Sequence, residues 1–410
     1  MSVPHPRPDI AVVGASPITA VYAALRGHQP RSTVLDLAQA APSYPPPSVV
    51  VERIVTTARS ADGGAYTDVP GLPSLRAAFA ADLSDSHGGA VNPDDVVVTA
   101  GCNQAFCLAV SALAEPGSEV IVPLPYYFNH DMWLRLNGIT SVYLEPGAGL
   151  VPRADAAATL ITERTRAILL VTPGNPTGVA VPPEEIEEFA RVARQHGIAL
   201  LLDETYRLFR DGTEPAHRLY AGDWRDTVVG LYSFSKELAI PGYRVGAVAA
   251  APPLNDHIEK LLDCVAVCAP RIGQEAALAG LTGAREWRAA RVREVARRRA
   301  VFREVMAGRP GGFELLSCGG FFGWIRHPVT GVATEDVVRE LALAHDTILM
   351  PGTAFTPEDR GTIRVSIGNC EPESIEELAR RFIDFSHARF PGTRSSGRPR
   401  SRARPADRRS

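Results

Sequence analysis

The stretch Tyr232-Ser-Phe-Ser-Lys-Glu-Leu-Ala-Ile-Pro-Gly-Tyr-Arg-Val-Gly246 decides the fold, and Lys236 is its centre. The 410-residue chain has 41 arginines and only two lysines, Lys236 and Lys260. A guanidinium stays protonated, whereas a lysine amine can be deprotonated by its surroundings and attack a carbonyl. A lysine kept between Ser-x-Ser and Gly-x-Arg, in a chain that otherwise uses arginine, points to amine chemistry of the Schiff-base kind. Lys260 lies on the amphipathic stretch Leu254–Val267 and reads as solvated surface.

Around this centre, Thr227–Tyr232 (TVVGLY) reads as a short buried strand that delivers Ser233, Ser235 and Lys236 at its C-terminal end, where ligands sit in open α/β sheets. Serine hydroxyls and the fork of Arg244 suit a phosphate dianion, and Gly242 and Gly246 let backbone approach a ligand. SFSKELAIPGYRVG resembles the lysine signature of fold-type I pyridoxal-phosphate (PLP) enzymes of the class I/II aminotransferase family, with the pattern SK-x(5)-G-x-R-x-G.

Other segments resemble that family in the same order. In Leu37-Ala-Gln-Ala-Ala-Pro42 the family has L-x-x-G-x-P, whose glycine amide meets the substrate carboxylate. Ala40 stands there and brings a methyl into the site. Tyr66, in Y-x(4)-G-x-x-x-L-R ending at Arg76, is implied to reach the cofactor phosphate of a partner subunit, and hence a homodimer with shared sites. Asp95–Thr99 (DVVVT) reads as a strand running into Ala100-Gly101-Cys102-Asn103 and a helix to Leu113, an anion site made of free amides and a positive dipole end. The resemblance puts the PLP phosphate on Gly101, Cys102 and Asn103, with the amides mattering more than the side chains. Pro125-Tyr126-Tyr127 follows the strand Glu119–Pro123. There the resemblance implies that Tyr127, with Tyr126 as the alternative, stacks on the pyridine ring. His130 and Trp133 follow at helical spacing and read as packing residues.

Ala167–Val171 (AILLV) leads into Asn175-Pro-Thr-Gly178, whose asparagine is implied to donate to the cofactor phenolic oxygen and to stand beside the substrate. The apolar strand Ile198–Leu202 runs into Asp203-Glu-Thr-Tyr206. A carboxylate after so apolar a run costs free energy unless it is paired. The resemblance pairs Asp203 with the pyridine nitrogen and lets Tyr206 share the phenolic oxygen. Farther on come a long Arg-rich helical pattern (Arg291–Met306), a strand Gly319–His327, a helix Glu335–Asp346, and Leu349–Phe355, similar to V-x-P-G-x-x-F. In the strand Thr362–Asn369, Arg364 fits the position that grips the α-carboxylate bidentately. A helix over Glu373–Phe390 closes the pattern.

Charge is near balance at −3, so nothing favours nucleic acid or membrane as a partner. The six cysteines are scattered without zinc spacing, which suits a cytoplasmic protein with free thiols and no metal. Ala11–Leu25 is apolar enough to imitate a signal-peptide core, but only Arg7 precedes it and Pro17 interrupts it. The tail 391–410 carries seven arginines and no apolar run, and reads as disordered.

The resemblance implies an α/β fold. A large domain over 46–285 carries a mostly parallel seven-stranded sheet, and a small α+β domain is built from 1–45 and 286–390. It implies a PLP-dependent aminotransferase acting on an L-amino acid and a 2-oxo acid, with Lys236, Asp203 and Tyr206 catalytic. A PLP-dependent lyase, an oxidase or an aminocyclopropane-carboxylate-synthase-like enzyme is the alternative on this scaffold, and a non-catalytic binding protein a remote one. The identity of the amino acid is not legible. Arg271 reads as a structural ion-pair partner, or else as the reader of an acidic side chain.

Overall fold

A computed structural model describes residue 5 and residues 7–212 and 214–390. The tail 391–410 lies outside the described residues. Seven strands form the main sheet: β1 (Val96–Thr99), β2 (Glu119–Pro123), β3 (Thr140–Leu144), β4 (Thr165–Val171), β5 (Ala199–Asp203), β6 (Val228–Ser233) and β7 (Gly246–Ala249). Their order is β1-β7-β6-β5-β4-β2-β3, and only β7 runs antiparallel to its neighbours. The inner strands are continuous apolar runs because helices cover both faces of the sheet. Along β5, Leu200 and Leu202 enter one core and Ala199 and Leu201 the other, the period-2 alternation of a strand.

One face is covered by α1 (Pro73–His87), through Leu75 and Phe79, and by a later helix over Pro183–Gln195, through Ile186 and Phe189. The other face meets α2 (Cys102–Leu113), through Phe106 and Val110, and α3 (Phe128–Leu136), through Leu134. The parallel strands therefore end together. The turns after β1, β2, β4, β5 and β6 meet along one edge and carry Gly101, Tyr127, Asn175, Asp203 and Lys236 respectively.

A second, antiparallel sheet holds β8 (Glu314–Gly319), β9 (Phe322–Arg326), β10 (Met350–Pro351) and β11 (Thr362–Ser366), in the order β10-β11-β9-β8. The single strand expected over Gly319–His327 is instead the second arm of a hairpin. Gly320 turns the chain at φ 48°, a conformation that favours glycine. Helices α4 (Arg285–Ala307) and α5 (Pro372–Arg389) cover one face of this sheet, where Ile363 and Val365 pack with Phe302 and Phe382. Arg364 lies between those two residues on β11 and so points to the opposite face, toward the first sheet. Leu35–Asp36 pairs in parallel with Thr347–Ile348, tying the beginning of the chain to this second body.

Candidate active site

The converging turns enclose a cavity of about 370 Å³. Its lining includes Ala40, Cys102, Asn103, Tyr127, Asn175, Asp203, Tyr206, Ser233, Ser235, Lys236, Arg244 and Arg364, which come from both bodies.

At one end is an anion cradle. Gly101 caps α2 at φ 89°, leaving the first amides of the helix free to face a ligand. Arg244, itself left-handed at φ 48°, donates to the carbonyl oxygens of Pro241 (2.7 Å) and Ala100 (3.2 Å), which holds its guanidinium over the same turn. A Cβ on Gly101 would lie 2.4 Å from Arg244 Nη2, so only glycine leaves this cradle open. Ser233 Oγ accepts from the Ser235 amide at 3.2 Å and closes the β6 end of the cradle.

Lys236 occupies the middle. Its Nζ donates to the Ala40 carbonyl oxygen at 2.5 Å. The side chain borders the open cavity, yet protein surrounds the amine. Burial, with Arg244 and Arg364 adding to it, pulls the amine down to about 8. Such an amine is about one-tenth neutral at pH 7, far more than an ordinary lysine, and the neutral share grows as pH rises through 8.

Asp203 lies at the apolar floor, 4% exposed. Its Oδ1 accepts from the Thr205 amide at 2.9 Å, and His130 Nε2 stands 3.4 Å from Oδ2. His130, expected to pack, does so between Phe106 and Tyr127 with ring centroids at 4.1 and 5.0 Å, and it also faces this carboxylate. The Cys102 thiol is buried against Asp203 and Thr205, and burial pushes it well up, which keeps it protonated.

At the substrate end, Arg364 is 3% exposed and donates through Nη1 to Asn175 Oδ1 at 2.7 Å and through Nη2 to the Ala38 carbonyl. The rings of Phe322 and Phe355 lie 5.0 and 4.9 Å from its guanidinium carbon. Burial lowers this guanidinium to about 10, so it remains a cation at neutral pH. Tyr127 Oη accepts from Asn129 Nδ2 at 2.9 Å, and burial pushes the Tyr127 and Tyr206 hydroxyls up.

Tyr66 and Arg271, singled out from the sequence, lie outside the cavity, as does Tyr126, the alternative to Tyr127. Tyr66 is 76% exposed on this chain. Arg271 donates to the carbonyl oxygens of Ala65 and Tyr66, both at 3.0 Å, and stands 3.6 Å from Asp62, so it braces the Tyr66 segment. Conversely Ile18, Gln39, Asn129 and Thr205 line the cavity without having been read from the sequence. Asn129 and Thr205 could have been found from their places two residues after Tyr127 and Asp203.

These donors fit PLP. The cradle offers amides, hydroxyls and a guanidinium to a dianion, the buried Asp203 suits a protonated ring nitrogen, and Lys236 is an amine poised to lose its proton.

Residues 32–382 match the family model for aminotransferase class I and II. The arginine–pyruvate transaminase AruH of Pseudomonas aeruginosa is 31% identical, with 91% of this chain and 95% of that protein covered. The aromatic aminotransferase ISS1 of Arabidopsis thaliana is 30% identical, over 85% of this chain and 88% of that one. The structure of Thermus thermophilus aspartate aminotransferase with maleate aligns at a TM-score of 0.84 and 25% identity, covering 93% of this chain and all of that one.

Proposed function

This chain belongs to the aminotransferase class I and II family, whose members are PLP-dependent transaminases, and from that premise we propose that Lys236 is its reactive amine. The observation that carries this reading is the buried Lys236 amine, drawn down to about 8 between an anion cradle and the Arg364 guanidinium.

When bound, PLP supplies an aldehyde that condenses with amines and a ring that takes up the electron pair left at the substrate α-carbon. The amides of Cys102 and Asn103, with Ser233, Ser235 and Arg244, would hold its phosphate at the turn made by Gly101, whose own amide donates to the Thr99 carbonyl oxygen. Tyr127 would pack on the ring, Asn175 and Tyr206 would meet its phenolic oxygen, and Asp203 would keep its nitrogen protonated. Arg364 grips the substrate α-carboxylate, beside the backbone of Ala40. Lys236 would carry the proton that leaves the substrate α-carbon and give it up again within the site. The products are a 2-oxo acid and an amino group retained for a second 2-oxo acid.

The enzyme works as a cytoplasmic homodimer in amino-acid metabolism, and Tyr66 of the partner subunit completes each phosphate site. Its exposure on a single chain supports this placement. Its substrates are small molecules rather than nucleic acid or membrane. Among the described residues no helix is long and apolar enough to cross a membrane. The cofactor body spans 46–285, and the second body the described part of 1–45 with 286–390, its two pieces tied by the pairing of Leu35–Asp36 with Thr347–Ile348.

The test is the visible absorbance of the PLP-loaded protein. An L-amino acid should bleach the band, and a 2-oxo acid should restore it. Release of ammonia or carbon dioxide without bleaching would instead assign a lyase. A chain that takes up no PLP would overturn the reading from Lys236 outward.

A further inference from the structure

Beside the catalytic cavity lies a second one of about 280 Å³, between α2 and α3. The two cavities share Asn103 and Asn129 in their walls, so these two side chains stand between them. The walls of the second are Phe106, Met132, Trp133 and Leu136. No Lys, Arg, Asp or Glu lines it, and its one imidazole, His130, is turned toward Asp203. In the first cavity, Lys236, Arg244, Asp203 and Arg364 are the charged groups, and each has a task in the reading above. Among the described residues no further cation stands at either cavity to meet a second carboxylate. The polar groups at the junction are uncharged: Asn129 Nδ2 donates one hydrogen to Tyr127 Oη at 2.9 Å. Deeper in the groove, Trp133 Nε1 is buried without a hydrogen-bond partner.

A site of this kind recognises by area and shape. An aromatic side chain buries a large apolar surface at little cost in rotamer freedom, and an unpaired indole N–H beside it can meet a π-face or a phenolic oxygen. A carboxylate side chain would be desolvated there with only neutral donors and no cation to offset the cost.

We propose that the groove between α2 and α3, entered past Asn103 and Asn129, receives the side chain of the amino-acid substrate, and that this side chain is aromatic. The inference rests on the transaminase reading and names its substrate class.

The test uses the PLP-loaded enzyme and follows bleaching of its visible band by L-phenylalanine, L-alanine and L-aspartate. Phenylalanine should exceed alanine and aspartate by about 100-fold in kcat/KM, the discrimination that apolar pockets reach. Cys107→Phe and Leu136→Trp each fill the groove from a position outside the catalytic machinery. Either should lower kcat/KM for phenylalanine about 10-fold or more while changing alanine by less than about 3-fold. Calorimetry with 3-phenylpropionate, which has no amine to transfer, should show its Kd rising by the same factor. Two variants guard against one that merely fails to fold. Equal losses for phenylalanine and alanine, or a wild-type preference for aspartate, would overturn the inference, as would a groove sealed by a second copy of the chain and blind to 3-phenylpropionate. Bleaching by alanine alone refutes the aromatic groove and leaves the transaminase reading intact. No bleaching by any amino acid refutes the transaminase reading itself.

Discussion

The Arg364 guanidinium donates to the side-chain oxygen of Asn175 at 2.7 Å, across 189 residues of chain. Because a guanidinium only donates, the amide oxygen must face it, and the Asn175 NH2 is left for the cavity. One contact thus orients both the group proposed to grip the carboxylate and the group proposed to donate to the cofactor.

Arg364→Lys should therefore cost more than its conserved charge suggests. Lysine cannot hold a carboxylate with two parallel bonds and cannot reach Asn175 and Ala38 together. The expected fall in kcat/KM is about 100-fold, in line with breaking a buried, hydrogen-bonded charge contact. PLP affinity, measured by equilibrium dialysis, should stay within about 3-fold, since the phosphate cradle is untouched.

Lys236→Arg should be as inactive as Lys236→Ala, because a guanidinium keeps its proton. Loss of a positioned proton carrier costs about 100- to 10,000-fold, and loss of the attachment point adds to it. Single-turnover kinetics with an amino acid checks both variants. Full turnover by either would exclude Lys236 as the reactive amine.

The pH dependence of cofactor loading follows from the same amine. Its folded value of about 8 lies below the ordinary lysine value, so the neutral, reactive form fills in as pH rises through 8. The rate at which apoenzyme takes up PLP should climb between about pH 7 and 9 and level off above. Replacing Arg364 by glutamine removes one of the two cations that depress the amine and should move the midpoint upward. A midpoint that stays in place would mean that burial and Arg244 set it without Arg364.

Gly101→Ala should weaken PLP binding about 10-fold or more and destabilise the fold by about 1–3 kcal/mol. The new methyl meets Arg244 Nη2 at 2.4 Å, and φ 89° disfavours any side chain. PLP titration and thermal unfolding of the apoenzyme report the two effects separately.

Arg271→Ala should lower turnover of all amino acids alike, leaving the ratio of aspartate to alanine unchanged. Arg271 is committed to the backbone of Ala65 and Tyr66 and to Asp62, not to the cavity. A selective loss of aspartate turnover would show that it reads an acidic side chain after all.

Much of this site was legible because its parts are local. An apolar run that stops at a polar pair, such as Leu200-Leu201-Leu202-Asp203, announces both a buried strand and a carboxylate delivered at its end. Lys236 stood out because arginine fills nearly every other cationic position. Two strands of the main sheet carried no such signal. The edge strand β3 is only partly buried along most of its length, and β7 is four small or branched residues that lie buried beside Gly101 and β6. Only the second arm of the β8–β9 hairpin was read, because the turn at Gly320-Phe321 falls inside an apolar stretch and β8 before it is only partly buried along most of its length.

The sequence by itself determined which elements form, which turns end in reactive side chains, and hence the order of the site's parts along the chain. These follow from short-range physics: periodicity, turn chemistry and the cost of an unpaired charge. The tertiary structure alone decided who faces whom. That Lys236 meets the Ala40 carbonyl, that His130 stands against Asp203, and that a groove opens between α2 and α3 depend on packing between distant parts of the chain. The sheet order β1-β7-β6-β5-β4-β2-β3 is not the chain order, and a neighbour brought by a crossover leaves no mark in the local pattern of either partner.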